Sequence, residues 1–448
     1  MRAFPFSNAT PVTWPGPHGK KADVVVIGGG IIGICTALFL ARGGAQVIVL
    51  EKGRIAAEQS SRNWGWIRQQ GRDADELPIM VEARRHWRDL AQQTSVDIGL
   101  TKGGVTYLAR TEAEIAAYED WLPDGINAGT GSRILNAAET AGMFPDMVGG
   151  HKGALHTASD MQAEPWVAVP AIAGIAAREG VQIVENCAVR RLDIAAGRVA
   201  GVITETGRIT AADVVLAGGA WSSLFLRAHG IALPQLSVRT SVAATRPLPD
   251  IHAGCAGDAN VSFRRRRDGG YTVAGGDLHE LFVGPDAFRY FRKYLNQLCA
   301  DPFGTRLLPA APRDFPDGWR TSRQWTADQQ SPFERQRVLN PAPNMAHLGK
   351  LRGRFQGLFP GLPEVRFDSA WAGMIDTMPD IVPVVDKVTD LPGLTIGTGM
   401  SGHGFGIGPG MGRVLASLVT GGTPGHDLSR FRMSRFSDGS PMRLGPSL

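Results

Sequence analysis

Gly28, Gly30 and Gly33 stand in the spacing G-x-G-x-x-G, and Glu51 closes the next apolar run. Residue types in that order suit one task, holding the diphosphate and ribose of a dinucleotide. The first glycine permits a tight turn, the second lets backbone approach a pyrophosphate, and the third lets a helix pack on a strand. The first amides of that helix, at Ile31 and Ile32, face the anion where the helix dipole favours it. The Glu51 carboxylate, beside Lys52, accepts the ribose hydroxyls, and an acid at that place argues against a 2′-phosphate. The unit alone leaves FAD and NAD both open. A bare glycine motif is weak in a chain with 57 glycines among 448 residues. Strand, loop, helix, strand and acid in the correct order are much stronger.

The elements that position these residues follow from apolar patterning. Ala22 to Ile27 is a short β-branched run, the pattern of a buried parallel strand, followed by a helix from Ile31 to Arg42 and a strand from Gln46 to Leu50. A second piece has a helix at Pro165 to Glu179 and a strand at Val181 to Val184. A meander then runs through Ala188–Ile194, Arg198–Thr204 and Gly207–Thr210. It ends on a return strand, Asp213 to Ala217, that enters Gly218-Gly219-Ala220-Trp221. A third piece has a strand at Leu394 to Ile396, a glycine-rich loop, and a helix from Gly408 to Val419. Three such pieces imply one discontinuous α/β nucleotide domain, 22–90, 161–233 and 367–435, between an N-terminal extension 1–21 and a tail 436–448. Residues 91–160 and 234–366 are expected to form a second domain on a large mixed or antiparallel β-sheet, making the whole chain α+β.

Composition narrows the class. The chain is 43% hydrophobic and 20% charged with a net charge of +5, and no apolar run reaches membrane-spanning length. The first 21 residues lack the apolar core of a secretory signal and read as disordered or laid across a neighbouring surface. Cytoplasmic location is expected, with peripheral attachment at the inner face of a membrane left open. Arg264 to Arg267 form the only dense basic run and are expected to be a solvated strand end before the Asp268-Gly269-Gly270 turn. Without an aromatic-interleaved basic surface, nucleic-acid binding is not expected. The cysteines at 35, 187, 255 and 299 form no C-x-x-C, which removes both a metal site and a redox disulfide.

Taken together, these segments resemble the D-amino-acid oxidase (DAO) superfamily of FAD-dependent oxidoreductases, in particular its glycine and sarcosine oxidase and D-amino-acid dehydrogenase branch. Three features besides the opening unit carry the resemblance. They are Ser60-Ser61-Arg62-Asn63-Trp64-Gly65, Leu216-Ala217-Gly218-Gly219-Ala220-Trp221, and Gly397-Thr398-Gly399-Met400-Ser401-Gly402-His403-Gly404-Phe405. The resemblance implies that Gly28, Gly30, Gly33 and Glu51 hold the ADP half of FAD. It places Ser60, Ser61 and Arg62 along the pyrophosphate and ribityl chain, and Val189 at the adenine through backbone. Asn63, Trp64, Gly65, Ala217, Gly218 and Trp221 complete the cofactor wall. Gly399, Met400, Ser401, Gly402, His403, Gly404 and Phe405 lie at the flavin pyrimidine edge, where backbone donors stabilise negative charge. His403 is read as packing beside the flavin while neighbouring amides do the work. Sarcosine oxidases carry a Lys where this chain has Gly406, and an FAD-linking Cys where it has Gly373. No His lies between Gly53 and Trp66. Non-covalent FAD is therefore expected.

The resemblance also implies oxidation of a C–N bond by hydride transfer to flavin N5, giving an imine that hydrolyses. An amino-acid substrate calls for an Arg that binds its carboxylate. Arg68, just past Trp64 and Trp66, is the first candidate, with Arg72 and Arg323 as alternatives and Tyr271 and His279 on the second-domain hairpin. A D-amino, N-methyl or cyclic imino acid fits, and the electrons pass to oxygen or to a quinone or carrier. The absence of a Lys around Gly275 to His279 tilts toward the latter. A homo-oligomer or a partner subunit is left open, and the alternatives are a flavin subunit of a multi-subunit amine or opine dehydrogenase that works with a partner and, less favoured, an RNA-modifying flavoprotein.

Overall fold

In the computed structural model, which describes residues 1–445, the chain builds two sheets that share one long cavity. The first sheet has six strands in the order Val384–Lys387, Leu394–Thr398, Asp213–Leu216, Val24–Ile27, Val47–Leu50 and Gln182–Val184. All its pairings are parallel except that of the Val384–Lys387 edge. Its central strands are nearly all buried, as β-branched runs covered on both faces must be. Helices Ile31–Arg42, Leu77–Gln93, Pro165–Arg178 and Gly404–Thr420 pack on one face. The antiparallel meander of Val189–Ala195, Arg198–Thr204 and Gly207–Thr210 covers the other. The three expected pieces thus supply the strands of this sheet.

The second sheet has ten strands and is mixed, with parallel pairs at Val105–Ala109 with Cys255–Gly257 and at His279–Phe282 with Thr305–Leu308. Its outer face buries Phe263, Tyr271 and Val273 against the helix Met345–Leu358. The strand Phe367–Thr377 runs antiparallel along Leu236–Thr245 in this sheet, rather than in the nucleotide sheet whose third piece was expected to open at 367. The N-terminal extension is laid across the body. Phe4 packs on Trp166 and Trp371, and Glu185 accepts bonds from the Thr13 and Trp14 amides.

Two sequence expectations are corrected. The four-arginine run is not a solvated strand end. Arg264 is 1% exposed and pairs with Glu164 at 3.1 Å, and Arg266 is buried on Asp268 and the Tyr271 carbonyl. Strand alternation turns both inward, where carboxylates and carbonyls compensate the buried charge. The C-terminal helix begins at Gly404 rather than Gly408, because its glycines are contact points between helices. A Cβ at Gly408 would lie 2.4 Å from Ile31, and one at Gly412 2.5 Å from Cys35.

Candidate active site

The nucleotide end of the cavity is built by the first strand, turn and helix. Gly28 has φ +109°, and a Cβ there would stand 2.4 Å from the Ala217 carbonyl oxygen. Gly33 packs so closely that a Cβ would meet the Gly28 carbonyl at 2.0 Å. At Gly30 a Cβ would meet only Ser60 Oγ, at 3.0 Å, so the cradle is open toward the cavity. The helix Ile31–Arg42 has no side-chain cap, which leaves amides of its first turn for an anion, while Ile31 N–H donates to Ser60 Oγ at 2.9 Å. Glu51 accepts from the Gly29 and Gly53 amides at 2.8 and 2.7 Å. Burial pushes its carboxyl up, and Lys52 and the two amides offset this. Backbone donors thus fix the acid while it still lines the cavity beside Val189, Ala217, Gly218 and Trp221.

The middle of the cavity lies between the loop after Leu394–Thr398 and the inner face of the large sheet. Met400, Gly402, His403, Gly404 and Phe405 line it, opposite Gly373, Asn63 and Trp64. Gly399 and Ser401 lie behind the lining and hold the loop's shape through Asp376. That carboxylate accepts from the Gly399 amide at 2.8 Å, and the Asp376 carbonyl accepts from the Ser401 amide at 3.0 Å. The helix Gly404–Thr420 opens here with no side-chain cap, so its positive end faces the cavity. These parts bring together an uncapped helix end, an open glycine cradle and a positioned acid, the features a flavin dinucleotide needs, within a cavity that measures about 1410 Å³ over its whole length.

Beyond this lies a lobe walled by Trp64, Trp66, Tyr107, Tyr118 and Trp121. Trp64 and Trp66 meet edge to face at 5.4 Å, and Arg68 lies 5.4 Å over the Tyr107 ring. Arg68 gives one bond to the Gln70 carbonyl at 2.7 Å. Arg72 is buried, with its Nη1 unpartnered, and burial beside Arg68 lowers it to about 9. Neither arginine has a carboxylate within ion-pair distance among the described residues. His279 lines another wall, where burial lowers its affinity for a proton.

Other expected residues are placed elsewhere. Tyr271 is fully buried on the far face of the large sheet, its hydroxyl bonded to the Ile251 amide and Arg265. Arg323 clamps its own loop through Asp317 and the Gly318 and Thr321 carbonyls. Ser61, Gly65 and Gly33 lie outside the lining. Arg62 reaches the cavity, but its guanidinium is spent on Ala57, Ala372, Asn340 and Phe6. Sequence reasoning missed Glu58, which collects Lys52, Trp221 and the Leu339 amide, and Gln59, Asp376 and Glu76. It also missed Arg264, whose Nε donates to the Trp64 carbonyl at 2.6 Å. Each has at least one partner far away in the chain, which no local pattern signals.

The chain is 25% identical to human mitochondrial sarcosine dehydrogenase over 94% of its own length, but it spans only 42% of that protein. It is also 25% identical to sarcosine oxidase subunit beta of Rhizobium meliloti, with 95% and 90% of the two chains covered. The structure of L-amino acid deaminase from Proteus myxofaciens in complex with anthranilate superposes with a TM-score of 0.90 at 28% identity. That match covers 98% of this chain and 97% of the other. The model of the FAD dependent oxidoreductase family DAO matches residues 23–418, from the first strand through the C-terminal helix that frames the cavity. An open glycine cradle, an acid fixed by backbone donors and a large cavity, joined to a match of that extent, place the chain in the DAO family of FAD-dependent oxidoreductases.

Proposed function

We infer that the protein oxidises the C–N bond of an amino acid or secondary amine at an FAD site, with the substrate carboxylate held by Arg68 and Arg72. The observation that carries this reading is the pair of arginines without carboxylate partners, in the same cavity as the dinucleotide cradle. A planar guanidinium binds carboxylate through parallel N–H donors, which fixes orientation as well as position. Trp64, Trp66 and Tyr107 then wall the substrate and exclude water, and an aromatic face also accommodates an amine. When bound, FAD accepts the hydride from the carbon next to nitrogen. The chain's own contributions are the orientation of that carbon and the positive end of the helix Gly404–Thr420, which favours negative charge beside it. D-amino, N-methyl and cyclic imino acids are the substrate classes proposed. Relatives named for sarcosine, an N-methyl amino acid, support them. No cysteine lines the cavity among the described residues, which supports non-covalent FAD.

The test is optical. The purified protein should be yellow, and its flavin band should bleach anaerobically with one member of a panel of D-, L-, N-methyl and cyclic amino acids. A colourless protein that cannot be loaded with FAD would overturn the reading. For the acceptor we favour a quinone over oxygen, supported by the exposed apolar Phe288, Phe291, Phe303 and Leu307 on the cavity wall. Reoxidation of the bleached protein by a short-chain quinone but not by air supports this choice, and rapid reoxidation by air removes it. A second reading, a flavin subunit that needs a partner, is favoured by the match across most of sarcosine oxidase subunit beta. Co-purification of a second chain required for turnover distinguishes it.

A further inference from the structure

Beside the two arginines lies a buried acid that the oxidation itself does not use. Glu76 stands at the N-cap of the helix Leu77–Gln93, is 0% exposed, and has no hydrogen-bond partner at either oxygen. It faces His403 of the glycine-rich loop. Glu76 Oε2 and His403 Nδ1 are 3.3 Å apart, at ion-pair distance but without hydrogen-bond alignment, and both ring nitrogens of His403 are unpartnered. The other charges facing the pair are Arg68 and Arg72 from the preceding loop, Arg430 from the C-terminal turn, and Asp380 before the edge strand. Two of these are already paired. Asp380 holds Arg435 at 2.8 and 3.0 Å, and Arg430 holds Asp73 at 3.2 Å and Asp75 at 3.4 Å. Asp160, which acts on Arg72 and Arg68, accepts bonds from the Gln69 and Gln70 amides and the Gln69 side chain. Arg68 and Arg72 are held only by backbone carbonyls, and Glu76 and His403 have no hydrogen-bond partner on their side chains.

We propose that Glu76 and His403 form a proton-accepting pair that takes up one proton from solvent when a carboxylate occupies the Arg68–Arg72 anchor, and releases it when the carboxylate leaves. The proposal rests on the reading of those arginines as the substrate anchor. With the anchor vacant, their positive potential compensates an ionised Glu76. An arriving carboxylate takes that potential for itself and adds a second negative charge in an apolar region, where an uncompensated ion is costly. Glu76 is then protonated, and its O–H donates to Nδ1 of neutral His403. Burial holds Glu76 up at about 7 while Arg72 and Arg68 pull it down, and burial keeps His403 unprotonated. The site thus receives an anion with no net change in charge. Glu76 acts through the arginines and His403 as a positioning residue and touches no substrate.

The test uses the FAD-loaded protein and benzoate, an unreactive carboxylate that stays ionised throughout, followed by its perturbation of the flavin spectrum. From about pH 6.5 to 8, below the range where Arg72 titrates, Kd should rise with pH, approaching tenfold per unit at the upper end. In Glu76→Gln it should be flat. Calorimetry of the unaltered protein in two buffers of different ionisation enthalpy should show proton uptake approaching one per benzoate near pH 8. The infrared difference spectrum should gain a protonated carboxylic acid band, which needs no variant. A pH-independent Kd with no proton uptake overturns the proposal while leaving the anchor intact, as does an equal slope in Glu76→Gln. Absence of any benzoate binding removes the anchor and the proposal with it.

Discussion

Replacing Arg68 by Ala removes one guanidinium from the aromatic lobe and leaves the dinucleotide end untouched. A hydrogen bond to a charged group contributes about 1.5–3 kcal/mol, so KM for a carboxylate substrate should rise roughly tenfold to a hundredfold. Steady-state kinetics with an amine lacking the carboxylate is the control, because its KM should not move. An unchanged KM for the acid would remove Arg68 from the anchor. Glu76 makes a prediction about stability in the opposite sense to a paired carboxylate. Its folded value is raised from 4.5 to about 7, so the folded state holds more protons than the unfolded state between those values. Stability is therefore lost as pH rises through that window. Glu76→Gln should melt higher than the parent above pH 7, with the gain closing as pH falls toward 4.5. Melting curves without ligand at several pH values decide this, and a gain that is constant with pH would contradict it.

At the scale of elements, the site depends on contacts that join segments far apart in the chain. Arg264 on the strand Ser262–Arg265 binds Glu164 before the helix Pro165–Arg178 and the carbonyl of Trp64, so it ties the large sheet to the loop that carries the aromatic wall. Arg264→Ala leaves Glu164 buried without its partner, which typically costs about 3–5 kcal/mol. Chemical denaturation should show that loss, and a loss below about 1 kcal/mol would mean that solvent replaces the pair. The helices behind the cavity are joined differently. Gly408 and Gly412 let Gly404–Thr420 lie against Ile31–Arg42, and Gly410 is set against Ile79 and Ala83 of a third helix. The two helices whose N-termini face the cavity are therefore packed against each other, which couples the positions of their positive ends.

For the whole molecule, one cavity runs from Glu51 past the loop Gly399 to Phe405 to the arginine lobe, and its walls come from both sheets. A ligand that binds only the folded chain stabilises it in proportion to the logarithm of its concentration. Added FAD should therefore raise the melting temperature progressively, and NAD should not. Equal shifts with both would contradict the assignment of the cradle to FAD. The nucleotide sheet is legible in the amino-acid sequence because its information is local. The run Val24–Ile27, the spacing of Gly28, Gly30 and Gly33, and Glu51 at the next strand end lie within one stretch of chain, and the meander and the strand Asp213–Leu216 follow their own turns. Arg68 and His403 are likewise readable as candidates from their neighbours, and both line the cavity. What the sequence determined, then, was the nucleotide fold and the cofactor it suits. Only the tertiary structure decided that Tyr271 faces away from the cavity, that Arg264 is buried, and that Glu76 meets His403. Strand facing and charge pairing are set by contacts between distant segments, and the burial that shifts a proton equilibrium exists only once those segments have packed.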